Sequence, residues 1–357
     1  MKKAIGLFLI LTLIMIGISY APVSVNAQIY DVTGINDTSV YYIRNSNTGH
    51  YLTVTSTSNN AAVVSSEYNG LTTQKWKVAR NSDGSYFLYS IHVTNKVMNV
   101  SGSTNITTYN SDGTYYQRFI LERVNGRYKI KYQHASTYIY EGEYLNPNYK
   151  VSLSASSPYN TWCFELATKG DADIYSFDDN DYDSSYEDNA FESYTGNMGY
   201  TSYAFKNYAA STALLYMQGD QIWVHNGHGG EGFVYFMNSA GNSNGTIDNS
   251  DINNLVTNKL AGLRMFITTG CSSGENTNNN SSSSASNNLI YAVYEKGAHF
   301  AIGWKDSVNT ADGVSWIKTF FYYSRYEYTV RKCIEYADFY YDLGAKTTIG
   351  DDYQKLN

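Results

Sequence analysis

The stretch Gln74-Lys75-Trp76-Lys77-Val78 places a large aromatic residue in the middle of a strand-like run, and the pattern recurs along the chain. Gln117-Arg118-Phe119-Ile120-Leu121 repeats it 43 residues later. A third run, Trp162-Cys163-Phe164-Glu165-Leu166, places Phe164 45 residues beyond Phe119. Self-similarity at such a period indicates a repeat architecture. Three copies of a four-stranded unit can close into a barrel whose repeated aromatic residues share one core.

A second recurring piece precedes each aromatic run, at residues 49–54, 95–100 and, less regularly, 137–140. Turn signals such as Asp83-Gly84 separate short alternating strands. Over residues 38–168 this pattern resembles the ricin-type β-trefoil lectin domain, which carries a Gln-x-Trp signature in each lobe. The resemblance implies an all-β trefoil and glycans as partners. Phe replaces Trp in the second lobe, and the third lobe lacks the Gln.

The resemblance also suggests where a sugar would bind. In that family a carboxylate just after the apolar strand residue binds sugar together with an aromatic ring and an amide of the same lobe. Thr53 and Asn99 stand at the equivalent positions, so the usual Asp is missing from the first two lobes. An amide also hydrogen-bonds hydroxyls, which leaves Asn99 as the carbohydrate-binding candidate. A spacer or a peptide-binding role for this domain stays open.

The second half of the chain contains two apolar runs that stop at small residues with one reactive side chain each. Residues 222–226 lead into Gly227-His228-Gly229, and residues 263–269 lead into Gly270-Cys271. Groups at the carboxyl ends of neighbouring strands converge on one crevice in open α/β sheets. A thiol beside an imidazole is an activated nucleophile. His225 lies three residues before His228, an odd offset that predicts opposite faces, and a structural role or one that supports the reactive residues from behind.

The pattern around these motifs alternates between helix and strand, which predicts a mostly parallel sheet covered by helices. Strands are expected at 221–225, 232–237, 263–269 and 298–304, and helices at 203–217, 248–259, 287–296, 312–323 and 327–341.

Over residues 198–357 the paired motifs resemble the caspase-like cysteine peptidases, the group that includes clostripain, gingipains, legumains and CHAT domains. The resemblance implies that His228 is the general base or acid and Cys271 the nucleophile. The backbone amides of Gly229 and Cys271 would form the oxyanion hole. Protein or peptide substrates are implied, with no required cofactor.

The same resemblance points to a substrate pocket near the strand at 298–304. Many relatives that cut after basic residues carry an acid two positions before the Cys, and Thr269 stands there. The pocket candidates are Glu231, Thr269, Trp304 and Asp306. Hydrolysis of non-peptide acyl bonds stays open, because the same dyad serves any acyl transfer.

The first 27 residues are predicted to be a secretory signal, since Lys2 and Lys3 precede an apolar run and Val25-Asn26-Ala27 supplies small residues for cleavage. A secreted protein with no membrane span after signal removal follows from this prediction. The net charge of −7 argues against a nucleic-acid partner. Of the three cysteines, at least one must be unpaired within the chain, and Cys271 is favoured over Cys163 and Cys333.

Two further segments are interpreted from composition. Residues 169–197 are rich in Asp and Glu and are expected to form an acidic linker. Calcium is an alternative there, because Asp179, Asp181 and Asp183 alternate as oxygen ligands do, although an EF-hand loop is excluded and no metal residue is assigned. The Asn- and Ser-rich loop 275–288 is a candidate processing site.

The sequence therefore predicts a secreted cysteine endopeptidase with a lectin-like targeting domain. The alternative is a non-enzymatic carbohydrate-binding adhesin or toxin component with an inactive caspase-like scaffold.

Overall fold

The computed structural model describes residues 35, 39–124, 127–176, 185–275 and 288–357, with backbone alone at 185–187. Three predicted features lie outside the described residues. They are the signal at 1–27, the proposed calcium ligands Asp179, Asp181 and Asp183, and residues 276–287 of the predicted processing loop.

The first unit is a closed barrel with three hairpins packed at one end. Its strands are β1 (Val40–Asn45), β2 (Tyr51–Val54), β3 (Ala61–Ser66), β4 (Lys75–Arg80), β5 (Tyr86–Ser90), β6 (Lys96–Ser101), β7 (Asn105–Asn110), β8 (Phe119–Val124), β9 (Arg127–Tyr132), β10 (Tyr138–Tyr144), β11 (Tyr149–Ser154) and β12 (Thr161–Leu166). Six of them pair edge to edge in the order β1, β4, β5, β8, β9, β12 and back to β1. The remaining hairpins, β2–β3, β6–β7 and β10–β11, pair with one another. Each repeat thus gives two barrel strands and one hairpin, as the repeat pattern predicts.

The repeated aromatic residues fill the core of this barrel. Trp76, Phe119 and Trp162 are fully buried. The Trp76 indole nitrogen donates to the Leu52 carbonyl at 2.9 Å, and that of Trp162 donates to the Ile139 carbonyl at 3.0 Å. The same bond in two lobes satisfies a buried donor and fixes each hairpin to its barrel strand.

The equivalent residue of the third lobe is therefore Trp162, and the assignment of Phe164 from its sequence position is wrong. Trp162 follows Phe119 by 43 residues, the same spacing that separates Phe119 from Trp76. Phe164 lies on the same strand, with its ring 5.8 Å from that of Tyr41 in an edge-to-face contact. Both aromatic residues are buried, so composition alone did not distinguish them.

The second unit is built around a six-stranded sheet. Its elements are β13 (Asp171–Ser176), α1 (Ser185–Asn197), β14 (Thr201–Lys206), α2 (Ala210–Met217), β15 (Ile222–Asn226), β16 (Gly229–Gly230), β17 (Phe233–Met237), β18 (Ser243–Asp248), α3 (Asn249–Asn253), β19 (Met265–Thr268), α4 (Leu289–Glu295), β20 (Phe300–Trp304), α5 (Thr310–Ser324), α6 (Val330–Tyr340) and β21 (Lys346–Gly350). The strand order in the sheet is β14-β13-β15-β19-β20-β21. The first five strands are parallel, and β21 runs antiparallel to β20. A small antiparallel sheet, β16-β17-β18, lies beyond β15 in sequence.

Helices cover both faces of this sheet, which confirms the predicted α/β class. Helices α1, α5 and α6 share one core with Ile222 and Val224 of β15. Helices α2, α3 and α4 share the other with Trp223 of the same strand. Successive residues of one strand point to opposite faces, so both faces need apolar side chains. Among the described helices, none has the length and apolar character needed to cross a membrane.

The predicted acidic linker at 169–197 is wrong for its described part. Asp171–Ser176 forms β13, which lies inside the sheet between β14 and β15, and Ser185–Asn197 forms α1. A run of acidic residues usually indicates a solvated segment, yet Asp173 is buried here. The second unit therefore begins near residue 171 rather than at 198.

The predicted helix at 203–217 is also too long, because the helix α2 begins only at Ala210. Residues Thr201–Lys206 instead form β14, an edge strand that pairs with β13. The ring of Phe205 stacks on Tyr175 at 5.2 Å between centroids. This tertiary contact and the strand pairing outweigh the local helix preference.

Candidate functional sites

His228 and Cys271 follow two neighbouring strands of the central sheet. Strands β15 and β19 pair in parallel, with His225 opposite Thr268 at their carboxyl ends. After each strand the backbone leaves the sheet and enters the motif that carries His228 or Cys271. The structure thus brings the two motifs to one edge, where the resemblance requires them. Their catalytic roles stay predictions.

The backbones of the two motifs touch through their glycines. A Cβ added to Gly229 would lie 2.8 Å from the Gly270 Cα atom. One added to Gly270 would lie 3.1 Å from the Gly229 Cα atom and 3.2 Å from the His228 carbonyl oxygen. The separation at Gly229 leaves no room for a side chain, whereas those at Gly270 would require neighbouring backbone atoms to move by a few tenths of an ångström. The close approach of the His and Cys turns therefore requires glycine at Gly229 and is favoured by glycine at Gly270.

The thiol of Cys271 is held by the loop that follows β20. The Val308 backbone N–H donates to the Cys271 Sγ atom at 3.3 Å. The next residue, Ser272, has a left-handed φ of 54° and donates its N–H to the Asp306 carbonyl at 3.1 Å. Cys271 therefore lies on a sharp turn that is held by the loop after β20. Sequence analysis missed Val308, because a backbone donor has no side-chain signal.

All three cysteines are free, but their surroundings differ. Cys163 and Cys333 are buried, whereas Cys271 is partly exposed. Burial raises the pKa of the Cys333 thiol to about 11. Burial, and then the Asp351 carboxylate, raise the pKa of the Cys163 thiol well above its usual value. Since the thiolate is the nucleophile, neither buried cysteine is suited to chemistry, and Cys271 is the reactive candidate.

His225 and His228 occupy different environments, as the odd offset predicts. The His228 side chain is exposed, while His225 is 2% exposed. Burial, opposed by a hydrogen bond to the Tyr235 carbonyl, lowers the pKa of His225 to about 4. The His225 ring is therefore neutral at physiological pH.

The four predicted pocket residues divide into two groups. Glu231 and Asp306 are exposed near the motifs. Thr269 is buried and its hydroxyl donates to the Asn226 side-chain oxygen at 2.8 Å. Trp304 is fully buried, with its ring 4.9 Å from that of Trp316 in an edge-to-face contact. Thr269 and Trp304 thus support the site from inside the core, and only the two acids present surface to a substrate.

The barrel unit carries a cleft of about 400 Å³ in its second lobe, and Asn99 is part of its wall. The cleft combines two phenol rings with amide, hydroxyl and carboxylate groups. Its lining residues are Asn60, Asn99, Val100, Ser101, Gly102, Tyr109, Asp112, Thr114 and Tyr116. Sequence analysis assigned Asn99 but missed its neighbours, although the Asp112-Gly113 turn marks this loop.

Buried Gln117 shapes this cleft. Its side-chain oxygen accepts from the Asp112 N–H at 3.1 Å, and its side-chain nitrogen donates to the Asn110 carbonyl at 2.8 Å. These bonds hold the loop that carries Asp112 against the β7 strand. Gln74 of the first lobe makes the matching pair, with the Asn69 N–H and the Glu67 carbonyl.

The first lobe differs at the position equivalent to Asn99. The Thr53 hydroxyl lies 2.7 Å from the Ser66 hydroxyl and accepts from the Gln74 side-chain nitrogen at 3.1 Å. The residue is buried, so its polar group is used inside the protein. The second lobe is therefore the better candidate for binding a ligand. Among the described residues, no group of three or more His, Cys, Asp or Glu side chains is placed to hold a metal ion.

Residues 26–109 match the sequence model of the ricin-type β-trefoil lectin domain-like family. This match covers less than half of the chain, and the first unit, with its barrel and three hairpins, is hereafter called the trefoil. The family match ends at residue 109, and the resemblance of the second unit to caspase-like peptidases stays a prediction. No curated protein matches the chain.

Several solved structures are similar to part of the chain. The designed three-fold symmetric protein ThreeFoil is 24% identical, with coverage of 35% of this chain and 96% of that protein and a TM-score of 0.33. A ricin B-like lectin from Macrolepiota procera, solved with lactose, is 15% identical, with coverage of 37% and 98% and a TM-score of 0.32. A mosquitocidal holotoxin is 24% identical, with coverage of 37% of this chain but 18% of the toxin and a TM-score of 0.34.

Proposed function

We propose that this protein binds glycans through the cleft in the second lobe of its trefoil. The observation that carries the proposal is the composition of the cleft wall, where Asn99 and Asp112 lie with the rings of Tyr109 and Tyr116. Amide and carboxylate oxygens accept hydrogen bonds from sugar hydroxyls. The Asn99 amide nitrogen donates to the Val100 carbonyl at 3.2 Å, so it is the amide oxygen that is offered to a ligand. A phenol ring presents a flat apolar face to the C–H side of a sugar ring. The volume is in the range of small-ligand sites.

Two features make this cleft suited to binding. Tyr116 is 41% exposed, and its hydroxyl accepts from that of Tyr115 at 2.5 Å, which orders the ring at the rim. The Asp112 backbone is held by Gln117, and its carboxylate accepts from the Thr114 N–H at 3.0 Å, so both are positioned by the protein itself. Pre-organised groups lose less entropy on binding.

A glycan array tests this proposal. The full chain is expected to be retained on a limited set of glycans, and Asn99→Ala and Tyr116→Ala are expected to lose that retention. Tyr144→Ala serves as the control, because Tyr144 is also an exposed tyrosine and lies in the third lobe. Absence of retention for the wild type, or equal retention by all four proteins, contradicts the proposal.

We also propose a second function, hydrolysis of peptide bonds by the carboxy-terminal unit. The sheet order supports it: five parallel strands with an antiparallel edge strand, and the His and Cys motifs after adjacent central strands. In this mechanism His228 takes the thiol proton of Cys271, and Sγ attacks the scissile carbonyl carbon. His228 then gives a proton to the leaving amine as the C–N bond breaks, and water hydrolyses the thioester.

The developing oxyanion needs donors in fixed positions. Turn residues around Cys271 use their own amides internally: Gly270 N–H donates to the Thr268 hydroxyl and Ser273 N–H to the Gly270 carbonyl. For the Cys271 N–H no acceptor is found within the described residues, which supports its proposed role with Gly229. Removing one such donor typically costs about 2.7–4 kcal/mol of barrier.

Cleavage of a peptide library separates this function from an inactive scaffold. The wild type is expected to turn over a subset of peptides, and Cys271→Ala and His228→Ala to lose turnover. Cys333→Ala removes a buried thiol outside the site and is expected to keep it. No turnover by the wild type, with glycan binding intact, would support the adhesin or toxin-component alternative instead.

Export and processing of the loop at 275–288 are part of the proposal. Export rests on residues 1–27, and processing rests on the Asn- and Ser-rich composition of the loop. Mass spectrometry of the protein from its native producer tests both, since it gives the amino terminus and any internal cut. Calcium binding by Asp179, Asp181 and Asp183 stays an alternative.

A further inference from the structure

Thr268 and His225 lie directly beneath the Cys271 turn and are not part of the proposed dyad. Thr268 is fully buried at the end of β19, and His225 is buried opposite it on β15. The Thr268 Oγ1 atom is 3.2 Å from His225 Nδ1 and 3.1 Å from the Gly270 backbone nitrogen. His225 Nε2 is 3.2 Å from the Tyr235 carbonyl oxygen. These distances define an unbroken chain of hydrogen bonds.

The direction of each hydrogen bond in this chain follows from its ends. The Tyr235 carbonyl only accepts, so His225 Nε2 must carry the proton. Because the ring is neutral, His225 Nδ1 is then an acceptor and must receive the Thr268 hydroxyl proton. The Thr268 oxygen is left to accept from the Gly270 N–H. Every group in the chain therefore has its partner, and only one arrangement of protons satisfies all of them.

The chain of hydrogen bonds reaches the His228 motif through Tyr235. The Tyr235 N–H donates to the His228 carbonyl at 2.9 Å, while its carbonyl accepts from His225. At the other end Gly270 lies against Gly229 and the His228 carbonyl. One circuit thus links the peptide groups that precede Cys271 to those that surround His228.

We propose that Thr268 and His225 are positioning residues, which set the Cys271 turn against the His228 turn through this circuit. The inference deepens the proposed thiol chemistry and rests on it for its purpose. The hydroxyl of Thr268 is the central link, since it contacts both His225 and Gly270. Its loss would leave the Gly270 N–H and the His225 Nδ1 atom buried without partners.

The test measures the alkylation rate of Cys271 by iodoacetamide, read by intact mass, because that rate reports the thiol without requiring a substrate. Thr268→Val keeps the size of the side chain and removes the hydroxyl, and we expect the rate to fall about tenfold. Thr268→Ser restores the hydroxyl and should return the rate to within about twofold of the wild type. Thr195→Val is the control, since Thr195 is an equally buried hydroxyl of α1 bonded to the Phe191 carbonyl.

An unchanged rate in folded Thr268→Val overturns the proposal, as does an equal fall in Thr268→Val and Thr268→Ser. If Thr268→Val does not fold, the alkylation rates of two His225 variants are compared instead. His225→Gln retains a donor and an acceptor and should react faster than His225→Phe, and equal rates overturn the proposal. The peptide library is run in parallel. If the alkylation rate falls in Thr268→Val and recovers in Thr268→Ser, but the wild type cleaves no peptide, the positioning role is supported and the peptidase function is contradicted.

Discussion

Arg44 on the first strand of the trefoil forms a buried ion pair with Asp351, which directly follows the last strand of the second unit. The Arg44 Nε atom also donates to Glu165 at 2.7 Å, and the Cys163 thiol donates to Asp351 at 3.2 Å. Burial alone would raise the pKa of Asp351, but the Arg44 charge, the hydrogen bond from the Cys163 thiol and the Arg127 charge together outweigh burial, and the pKa is lowered. The two units are therefore joined by a desolvated charge cluster rather than by a flexible tether.

Asp351→Asn is expected to destabilise the protein by about 3–5 kcal/mol, because it leaves the Arg44 guanidinium buried with less compensating charge. Urea unfolding followed by circular dichroism measures the change. Glu335→Gln breaks an exposed pair with Lys332 and should alter the curve little. A curve for Asp351→Asn that superimposes on that of Glu335→Gln would show that the cluster does not hold the units together.

The carboxyls of Asp173 and Asp220 predict that stability falls as the pH rises. Burial raises the pKa of Asp173 to about 7, and burial and then Asp173 raise that of Asp220 well above its usual value. An Asp in the unfolded chain has a pKa of about 3.9. The folded state therefore binds more protons, so this stability is complete below about pH 4 and is lost as the pH rises towards about 7.

Thermal unfolding between pH 4 and pH 8 measures this effect. Asp173→Asn is neutral throughout and should show a smaller fall in Tm than the wild type. Asp342→Asn, an exposed site, should follow the wild type. A wild-type Tm that rises across the interval relative to Asp173→Asn would contradict the assignment.

Gly229→Ala is expected to push the two motifs apart, because its Cβ would lie 2.8 Å from the Gly270 Cα atom. Overpacking of this kind typically costs about 1–3 kcal/mol, and Cys271 alkylation should slow. Gly196→Ala is the matched control, since a Cβ there meets nothing within 4 Å and Gly196 lies in α1. Equal alkylation rates for the two variants would show that close approach of the motifs does not matter.

Gln117→Ala should weaken both folding and glycan binding, because Gln117 holds the loop of Asp112. Loss of these buried hydrogen bonds is expected to cost about 1–3 kcal/mol. Gln74→Ala removes the same contacts in the first lobe and should lower stability by a similar amount while leaving glycan affinity unchanged. Urea unfolding and a glycan titration on each variant separate the two effects, and equal affinities would place the binding site elsewhere.

The features most readily predicted from sequence were the regular spacing of aromatic residues and the apolar runs that stop abruptly at a reactive side chain. The aromatic spacing gave the three-fold barrel, since Trp76 and Phe119 repeat at 43 residues and occupy equivalent places. The stops at His228 and Cys271 gave their shared edge of the sheet. Both signals are local sequence patterns that can be recognised without knowing which residues are in contact in the fold.

The features that were missed depend on contacts between distant residues. Strand β13 was taken for a linker because its acids are charged in isolation, whereas burial between two strands favours their neutral form. Val308 contributes a backbone N–H, and the Thr268 hydroxyl acquires its role only from His225 and Gly270. Such roles are set by the fold and leave no local pattern.

The most direct test of glycan binding by the trefoil is a calorimetric titration of the full chain with the best glycan from the array. Wild type and Tyr144→Ala are expected to bind with equal Kd, and Asn99→Ala and Tyr116→Ala to bind at least about tenfold more weakly, as the loss of one hydrogen bond or ring contact predicts. Equal Kd values for all four proteins would contradict the account and place the glycan outside the second lobe.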